Sequence, residues 1–165
     1  MFNNSYTELT TTSEDETGRL AVILAEQAIR GDIIALSGEL GAGKTVFARA
    51  FICALGGTDE VPSPTFTLVQ SYNLNPIPVH HFDLYRIERP EDTFELGIED
   101  LFAEGISLIE WPERLSSYLP KDRLELSFCY PKNQSKTSNM RDIRITGRGL
   151  WELRILKIFK RLNNG

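Results

Sequence analysis

The chain has 165 residues, of which 41% are hydrophobic and 25% are charged. This length allows one domain with a full core and is short for two. No apolar stretch approaches the roughly 20 residues that a membrane-spanning helix needs, and residues 1–4 lack the basic start of a signal peptide. We therefore expect one α/β domain in the cytosol, with no membrane partner.

The net charge of −5 conceals an uneven distribution along the chain. Residues 1–130 carry 9 basic and 21 acidic side chains, a balance of −12, whereas residues 131–165 carry 9 basic and 2 acidic ones, a balance of +7. A basic segment on an acidic protein can contact nucleic acid, an acidic partner or the acidic body of the protein itself. The charge pattern leaves these three alternatives open.

The first predicted helix begins with a capping box, in which Ser13 is followed three residues later by Glu16, and it extends to Gly31. Residues 32–37 form an apolar run typical of a buried strand, and residues 46–55 carry apolar positions at helical spacing. Between them lies a full match to the pattern G-x-x-x-x-G-K-[ST], which reads Gly38-Glu39-Leu40-Gly41-Ala42-Gly43-Lys44-Thr45.

This motif has the chemistry of a triphosphate-binding loop. Its glycines let successive N–H groups turn toward an anion, and the following helix points its positive end at the same phosphates. Lys44 supplies a positive charge for the β- and γ-phosphates, and Thr45 offers its hydroxyl group to Mg²⁺. The chain also lacks the Asn-Lys-x-Asp sequence that reads guanine. We therefore expect ATP and Mg²⁺ at residues 39–45.

The rest of the chain alternates strand and helix signals. Strands are predicted over residues 65–72, 78–85, 106–110, 123–130 and 142–147, and short helices are predicted to begin at Pro90 and Pro112. The expected fold is a single-domain P-loop NTPase of the α/β class, with a central, mostly parallel sheet, antiparallel additions and flanking helices. Both cysteines, Cys53 and Cys129, read as small buried residues.

The chain is expected to end in a basic amphipathic helix. We divide it into a P-loop ATPase domain, residues 1–148, and a C-terminal extension, residues 149–165. The extension carries an apolar stripe of Trp151, Ile155, Ile158 and Leu162, with basic residues on the other faces. It can dock on the domain, contact a partner or RNA, or lie on a membrane surface.

Two acidic residues are candidates to complete an ATPase site. Asp83 and Glu110 each end an apolar run, and ligands of open α/β sheets bind beyond the carboxyl ends of the strands. Either carboxylate could hold Mg²⁺ or its water shell beside Thr45. Thr65 is a candidate nucleotide-sensing residue, and Arg86 could serve the phosphates or pair with an acid.

The adjacent histidines His80 and His81 do not suggest a metal site. Neighbouring residues of a strand point to opposite faces, so the two rings cannot easily bind one ion.

Taken together, these segments resemble one family, the TsaE-type ATPases that assist bacterial synthesis of threonylcarbamoyladenosine on tRNA. The resemblance spans most of residues 6–148 and does not include the C-terminal helix. Besides the phosphate loop, it rests on three segments, Ser63-Pro64-Thr65-Phe66-Thr67-Leu68-Val69 with Tyr72, His81-Phe82-Asp83-Leu84-Tyr85-Arg86, and Ile109-Glu110-Trp111-Pro112-Glu113.

The resemblance implies an ATPase that is weak alone and works with the carbamoyl-transferase subunit TsaD and its partner TsaB, with tRNA involved only indirectly. ATP binding and hydrolysis would reset that complex between rounds. It further implies that Lys44 and Thr45 hold phosphates and Mg²⁺ and that Asp83 and Glu110 are the metal-linked and catalytic acids. Thr65 would be a switch-loop residue near the γ-phosphate, and Trp111 an aromatic residue beside the site.

Two other functions remain open at this stage. A small-molecule kinase needs the same loop, Mg²⁺ and an acid, but it is expected to carry an arginine-bearing lid. Arginines are sparse between residues 60 and 119, where only Arg86, Arg89 and Arg114 occur. The other alternative is a nucleotide-gated binding module, in which ATP orders residues 63–72 without turnover.

Overall fold

A computed structural model of the protein describes residues 6–58 and 61–164. Its strands are β1 Tyr6–Thr11, β2 Ile33–Gly38, β3 Val69–Tyr72, β4 Val79–Asp83, β5 Ile106–Glu110, β6 Arg123–Cys129 and β7 Arg141–Arg148. Its α-helices are α1 Glu14–Gln27, α2 Lys44–Ala54, α3 Ile98–Glu104 and α4 Trp151–Asn163. Two 3₁₀ helices, Pro90–Leu96 and Pro112–Tyr118, begin at the predicted prolines.

The strands form one mixed sheet in the order β1-β7-β6-β2-β5-β4-β3. The four strands β6, β2, β5 and β4 are parallel, whereas β1, β7 and β3 pair antiparallel at the two sides. This confirms the expected fold class. Because parallel strands run in one direction, the carboxyl ends of β2, β4 and β5 meet at the same edge of the sheet.

Helices cover the sheet on both faces. The larger apolar cluster packs α1, α2 and α4 on one face, with Leu24, Phe47 and Trp151 fully or almost fully buried. The smaller cluster packs α3 and the 3₁₀ helix Pro112–Tyr118 on the other face, around Phe82 and Ile109. In the described part of the chain, no helix is both long and apolar enough to cross a bilayer.

Several local predictions were wrong, and the reasons are physical. The capping box holds, because Ser13 Oγ accepts from Glu16 N at 3.2 Å, but α1 ends at Gln27 instead of Gly31, since Ala28 is already extended. Strand β1 was missed. Residues 65–68 form a turn, closed by a hydrogen bond from Leu68 N to Pro64 O at 2.7 Å, so β3 begins only at Val69.

The prediction that both cysteines are buried was wrong for Cys129 and was met in part by Cys53, which packs against the larger apolar cluster. Cys129 is exposed, because it is the last residue of β6 and alternates with the buried positions Leu124, Leu126 and Phe128. Cys53 is half-buried, and its Sγ donates to the carbonyl oxygen of Thr58 at 3.2 Å.

The C-terminal helix α4 docks on the domain. Trp151, Ile155 and Ile158 are buried against the sheet, as the apolar stripe suggested, while the side chain of Leu162 lies outside the described residues. Arg154 donates to both carboxylate oxygens of the buried Asp32, at 2.7 and 2.9 Å. Other basic residues of segment 131–165 also pair with acids of the body, in the pairs Lys136–Glu39, Arg144–Glu8 and Arg148–Glu125.

We expect Arg154→Ala to lower the free energy of unfolding by about 2–3 kcal/mol, because it leaves the buried Asp32 carboxylate without its bidentate partner. The exposed Lys157, on the same helix, is the matched control, and Lys157→Ala should cost less than about 0.5 kcal/mol. Urea unfolding of both variants measures the difference. Equal stabilities of the two variants would contradict the docking role of Arg154.

Candidate nucleotide-binding site

The phosphate loop connects the end of β2 at Gly38 to the start of α2 at Lys44. Its path needs glycine at three places, where φ is +143° at Gly38, +79° at Gly41 and +112° at Gly43. A Cβ atom at Gly38 would also lie 2.5 Å from the carbonyl oxygen of Phe128. The loop therefore delivers the first turn of α2, with its unpaired N–H groups, to the carboxyl edge of the sheet.

Lys44 lies at the centre of this edge and is only 4% exposed. Its Nζ donates to the main-chain oxygen of Gly38 and stands 3.7 Å from the centre of the Trp111 ring. Burial lowers the pKa of Lys44, while the nearby carboxylates of Glu110, Glu113 and Asp83 oppose that shift. An anion bound in the loop would add negative charge beside Lys44 and so favour its charged ammonium form.

Thr45, Glu110 and His81 form a hydrogen-bonded row across the edge. Thr45 Oγ1 donates to Glu110 Oε1 at 3.0 Å, and His81 Nε2 lies 2.7 Å from Glu110 Oε2. Glu110 and His81 are buried, at 2% and 0% exposure. Within the described residues, the Nδ1 atom of His81 has no hydrogen-bond partner, so Nε2 is best assigned as the donor to Glu110. His81 thus orients this carboxylate.

Asp83 lies beside Glu110, since the two residues are register partners in β4 and β5. Its Oδ2 accepts from Thr65 Oγ1 at 2.9 Å, and Thr65 in turn contacts Ser63 Oγ at 2.8 Å. The Oδ1 atom accepts from the N–H group of Tyr85 at 3.1 Å. Asp83 therefore ties the loop before β3 to the carboxyl edge of the sheet.

Trp111 follows Glu110 in a left-handed conformation, with φ at +59°. Such a φ is rare for a bulky residue, and such strain is commonly found at functional sites. Here it places the indole ring over Lys44 and against Tyr85, whose ring centre is 5.0 Å away. The strained turn thus places an aromatic wall beside the ammonium group.

These side chains surround a cavity of about 160 Å³. Most of the predicted site residues meet there, and the lining consists of Leu40, Gly41, Gly43, Lys44, Thr45, Val46, Ser63, Thr65, Asp83, Glu110 and Trp111. Two buried carboxylates face one ammonium group, so a divalent cation would relieve their repulsion. The donors are carboxylate and hydroxyl oxygens, which are the ligands that Mg²⁺ prefers, and the residues therefore fit this ion.

Three predicted residues lie elsewhere. The exposed Glu39 carboxylate points to Lys136, at 2.9 Å, and the side chain of Ala42 is fully buried, so these two could reach a phosphate only through their main chain. Arg86 lies outside the cavity, with its guanidinium 4.6 Å from the ring centre of the exposed Phe66. His81 was missed as a site residue, although its spacing of two from Asp83 puts both on one face of β4.

The two histidines point to opposite faces of β4, as predicted. His80 is 1% exposed, its Nδ1 lies 2.8 Å from Ser71 Oγ, and its Nε2 lies 3.9 Å from Glu104 Oε2. Burial lowers the pKa of His80, against the smaller opposing effect of Glu104.

This shift predicts a loss of stability in acid. In the unfolded chain, His80 takes up a proton near the ordinary histidine pKa of about 6.5. In the folded protein it does so only at a lower pH, because burial lowers its pKa. The free energy of unfolding should therefore fall as the pH drops from about 6.5 toward the lowered pKa, by up to about 1.4 kcal/mol per pH unit. In His80→Gln, the free energy of unfolding should fall less steeply as the pH drops below about 6.5. Above about pH 7, its dependence on pH should match that of the parent. Urea unfolding across this pH range measures it, and an unchanged acid slope would contradict the prediction.

Comparison with known proteins places this geometry in one family. The family model described as "Threonylcarbamoyl adenosine biosynthesis protein TsaE" matches residues 11–140. The tRNA threonylcarbamoyladenosine biosynthesis protein TsaE of Bacillus subtilis is 39% identical over 117 residues, which cover 70% of this chain and 73% of that protein. The protein of the same name from Rickettsia bellii is 38% identical over 129 residues, covering 78% and 90% of the two chains.

A solved structure extends the similarity to the whole fold. The crystal structure of Bacillus subtilis YdiB superposes with a TM-score of 0.81 at 29% identity, covering 98% of this chain and 99% of that one. The family model ends at residue 140 and does not include α4. The superposition covers 98% of the chain, so the 13-residue helix α4 lies within the matched part. The C-terminal helix therefore has a counterpart in that structure.

Proposed function

This chain belongs to the TsaE family of threonylcarbamoyl adenosine biosynthesis proteins, and we propose that it is the ATP-binding and ATP-hydrolysing subunit of that tRNA-modifying system. In this proposal it binds ATP with Mg²⁺, is a weak ATPase alone, and resets a complex of TsaD and TsaB between catalytic rounds. It acts in the cytosol and meets tRNA only through these partners.

One observation carries the proposal. The hydroxyl group that ends the phosphate-loop motif, on Thr45, is hydrogen-bonded at 3.0 Å to the acid that ends a neighbouring parallel strand, Glu110. Lys44 and Asp83 line the same cavity. A phosphate-binding loop, a cation-binding hydroxyl and a buried carboxylate in one place are the parts that nucleotide hydrolysis needs.

The chain's own residues have distinct roles in this proposal. The N–H groups at the start of α2 and the Lys44 ammonium bind the phosphates, and Thr45 with Asp83 would hold Mg²⁺ or its water shell. Glu110, oriented by His81, accepts a hydrogen bond from the attacking water and can take its proton. Trp111 shields Lys44 from solvent. Mg²⁺, when bound, supplies charge neutralisation at the phosphate oxygens.

The same geometry gives the loop at residues 63–68 a way to respond to nucleotide. Thr65 is bonded to Asp83 inside the cavity, while its neighbour Phe66 is 83% exposed. A ligand that competes for the Asp83 carboxylate would therefore shift an exposed aromatic side chain. This supports partner switching, and it also fits a nucleotide-gated binding module.

Phosphate release separates these functions. The purified chain should release phosphate slowly from ATP in the presence of Mg²⁺, and faster when TsaD and TsaB are added. A binding module would bind ATP but release no phosphate with or without the two partners. A small-molecule kinase would form ADP only when an acceptor hydroxyl compound is supplied.

A further inference from the structure

The β6–β7 hairpin contacts the phosphate loop from outside. Tyr130 follows β6 directly, and its hydroxyl group donates to the carbonyl oxygen of Gly41 at 3.2 Å. Arg141, the first residue of β7, donates from Nε to the carbonyl oxygen of Ala42 at 3.0 Å and from Nη2 to that of Gly41 at 3.4 Å. Two side chains of one hairpin thus hold two consecutive carbonyl groups of the loop.

Arg141 is itself held rigidly in this position. Its Nη1 donates to the main-chain oxygens of Ser138, at 2.5 Å, and Met140, at 2.7 Å. Its guanidinium stacks on the ring of Tyr130, 4.3 Å from the ring centre. The four acceptors of these hydrogen bonds are neutral main-chain carbonyl groups, and among the described residues no carboxylate forms an ion pair with Arg141.

These contacts set the direction of the loop's N–H groups. A trans peptide points its N–H group opposite to its carbonyl group, so a carbonyl of Ala42 held outward by Arg141 directs the N–H of Gly43 away from Arg141. The N–H of Ala42 donates to the carbonyl oxygen of Glu39 at 3.0 Å and closes the turn. Hydrogen bonds to a charged donor also polarise the peptide groups that accept them.

We propose that Arg141, supported by Tyr130, is a positioning residue for nucleotide binding: it holds the phosphate loop in its anion-accepting shape and adds a positive charge behind it. This inference rests on the proposed function, because it requires that the loop binds ATP. Arg141 lies one residue beyond the segment that the family model matches. Arg141 acts through the carbonyl groups of Gly41 and Ala42, so its effect is expected on ATP affinity.

The test compares two charge-removing variants of the same strand. Arg144 lies three residues along β7, is exposed and pairs with Glu8, so Arg144→Gln removes the same charge without a loop contact. Isothermal titration with ATP and Mg²⁺ should show a Kd at least about tenfold weaker for Arg141→Gln, since two charge-assisted hydrogen bonds are lost. Arg144→Gln should stay within about twofold of the parent. Arg141→Lys should fall between them, because it keeps the charge but loses the fork geometry.

Chemical rescue distinguishes positioning from general damage to the fold. Arg141→Ala should bind ATP weakly and regain affinity when millimolar methylguanidinium is added, while the same salt leaves Arg144→Ala unchanged. If the parent binds ATP and Arg141→Gln binds it within about twofold, or no more weakly than Arg144→Gln does, the positioning role is wrong. If Arg141→Gln or Arg141→Ala fails to fold, Arg141→Lys is compared with Arg144→Gln instead, and binding by Arg141→Lys within about twofold of Arg144→Gln would contradict the positioning role. A parent chain that binds no ATP would instead contradict the proposed function.

Discussion

Lys44→Ala is expected to abolish measurable ATP binding, with a loss in affinity of at least about 100-fold. Lys44 is the buried ammonium group of the cavity, and charged hydrogen bonds contribute about 1.5–3 kcal/mol each, so losing two of them suffices for this effect. The alanine variant also leaves the carbonyl oxygen of Gly38 without its donor. Fluorescent ATP analogues measure the affinity over the required range.

The control for this variant is Lys136→Ala. Lys136 carries the same charge and pairs with Glu39 of the same loop, but both side chains are exposed. Its loss should change ATP affinity by no more than about twofold. A similar loss in the two variants would mean that general electrostatic attraction, and not the position of Lys44, holds the phosphates.

Glu110→Gln is the second large prediction, and it should separate binding from hydrolysis. The glutamine side chain keeps the shape of glutamate and can still accept from His81, so the cavity should stay intact and ATP should still bind. Its amide cannot take a proton from water, and loss of a general base typically costs about 100-fold to 10,000-fold in rate. Single-turnover phosphate release, with the protein in excess over ATP and well above the Kd, measures the chemical step directly.

Glu113→Gln provides the matched change of charge for this experiment. Glu113 is exposed and only three residues away, and its carboxylate acts on Lys44 only through its charge. Its hydrolysis rate should stay close to that of the parent. Phosphate release by Glu110→Gln at the parental rate would remove this acid from the mechanism.

Much of the site could be predicted from the sequence because its parts are encoded locally. The phosphate loop needs glycines at fixed positions, and Asp83 and Glu110 end apolar runs whose parallel pairing brings them to one edge. Strand periodicity also placed His80 and His81 on opposite faces. In each case, the backbone geometry of one element determines where the side chain points.

The features that were missed depend on contacts between distant segments. The hydrogen bond from Arg141 to the carbonyl oxygen of Ala42 joins residues 99 positions apart in the chain. The Arg154–Asp32 ion pair joins residues 122 positions apart. No local pattern predicts either contact. Strand β1 escaped prediction because half of its residues are exposed at the side of the sheet, where the apolar signal is weak.

Whether residues 39–45 bind ATP can be measured by isothermal titration of the unaltered chain with ATP, with and without Mg²⁺. We expect a saturable heat with one site per chain. Binding should weaken when Mg²⁺ is withdrawn, because the two carboxylates then face the phosphates without a neutralising cation. Folded protein that gives no heat and no saturation with ATP and Mg²⁺ would contradict it.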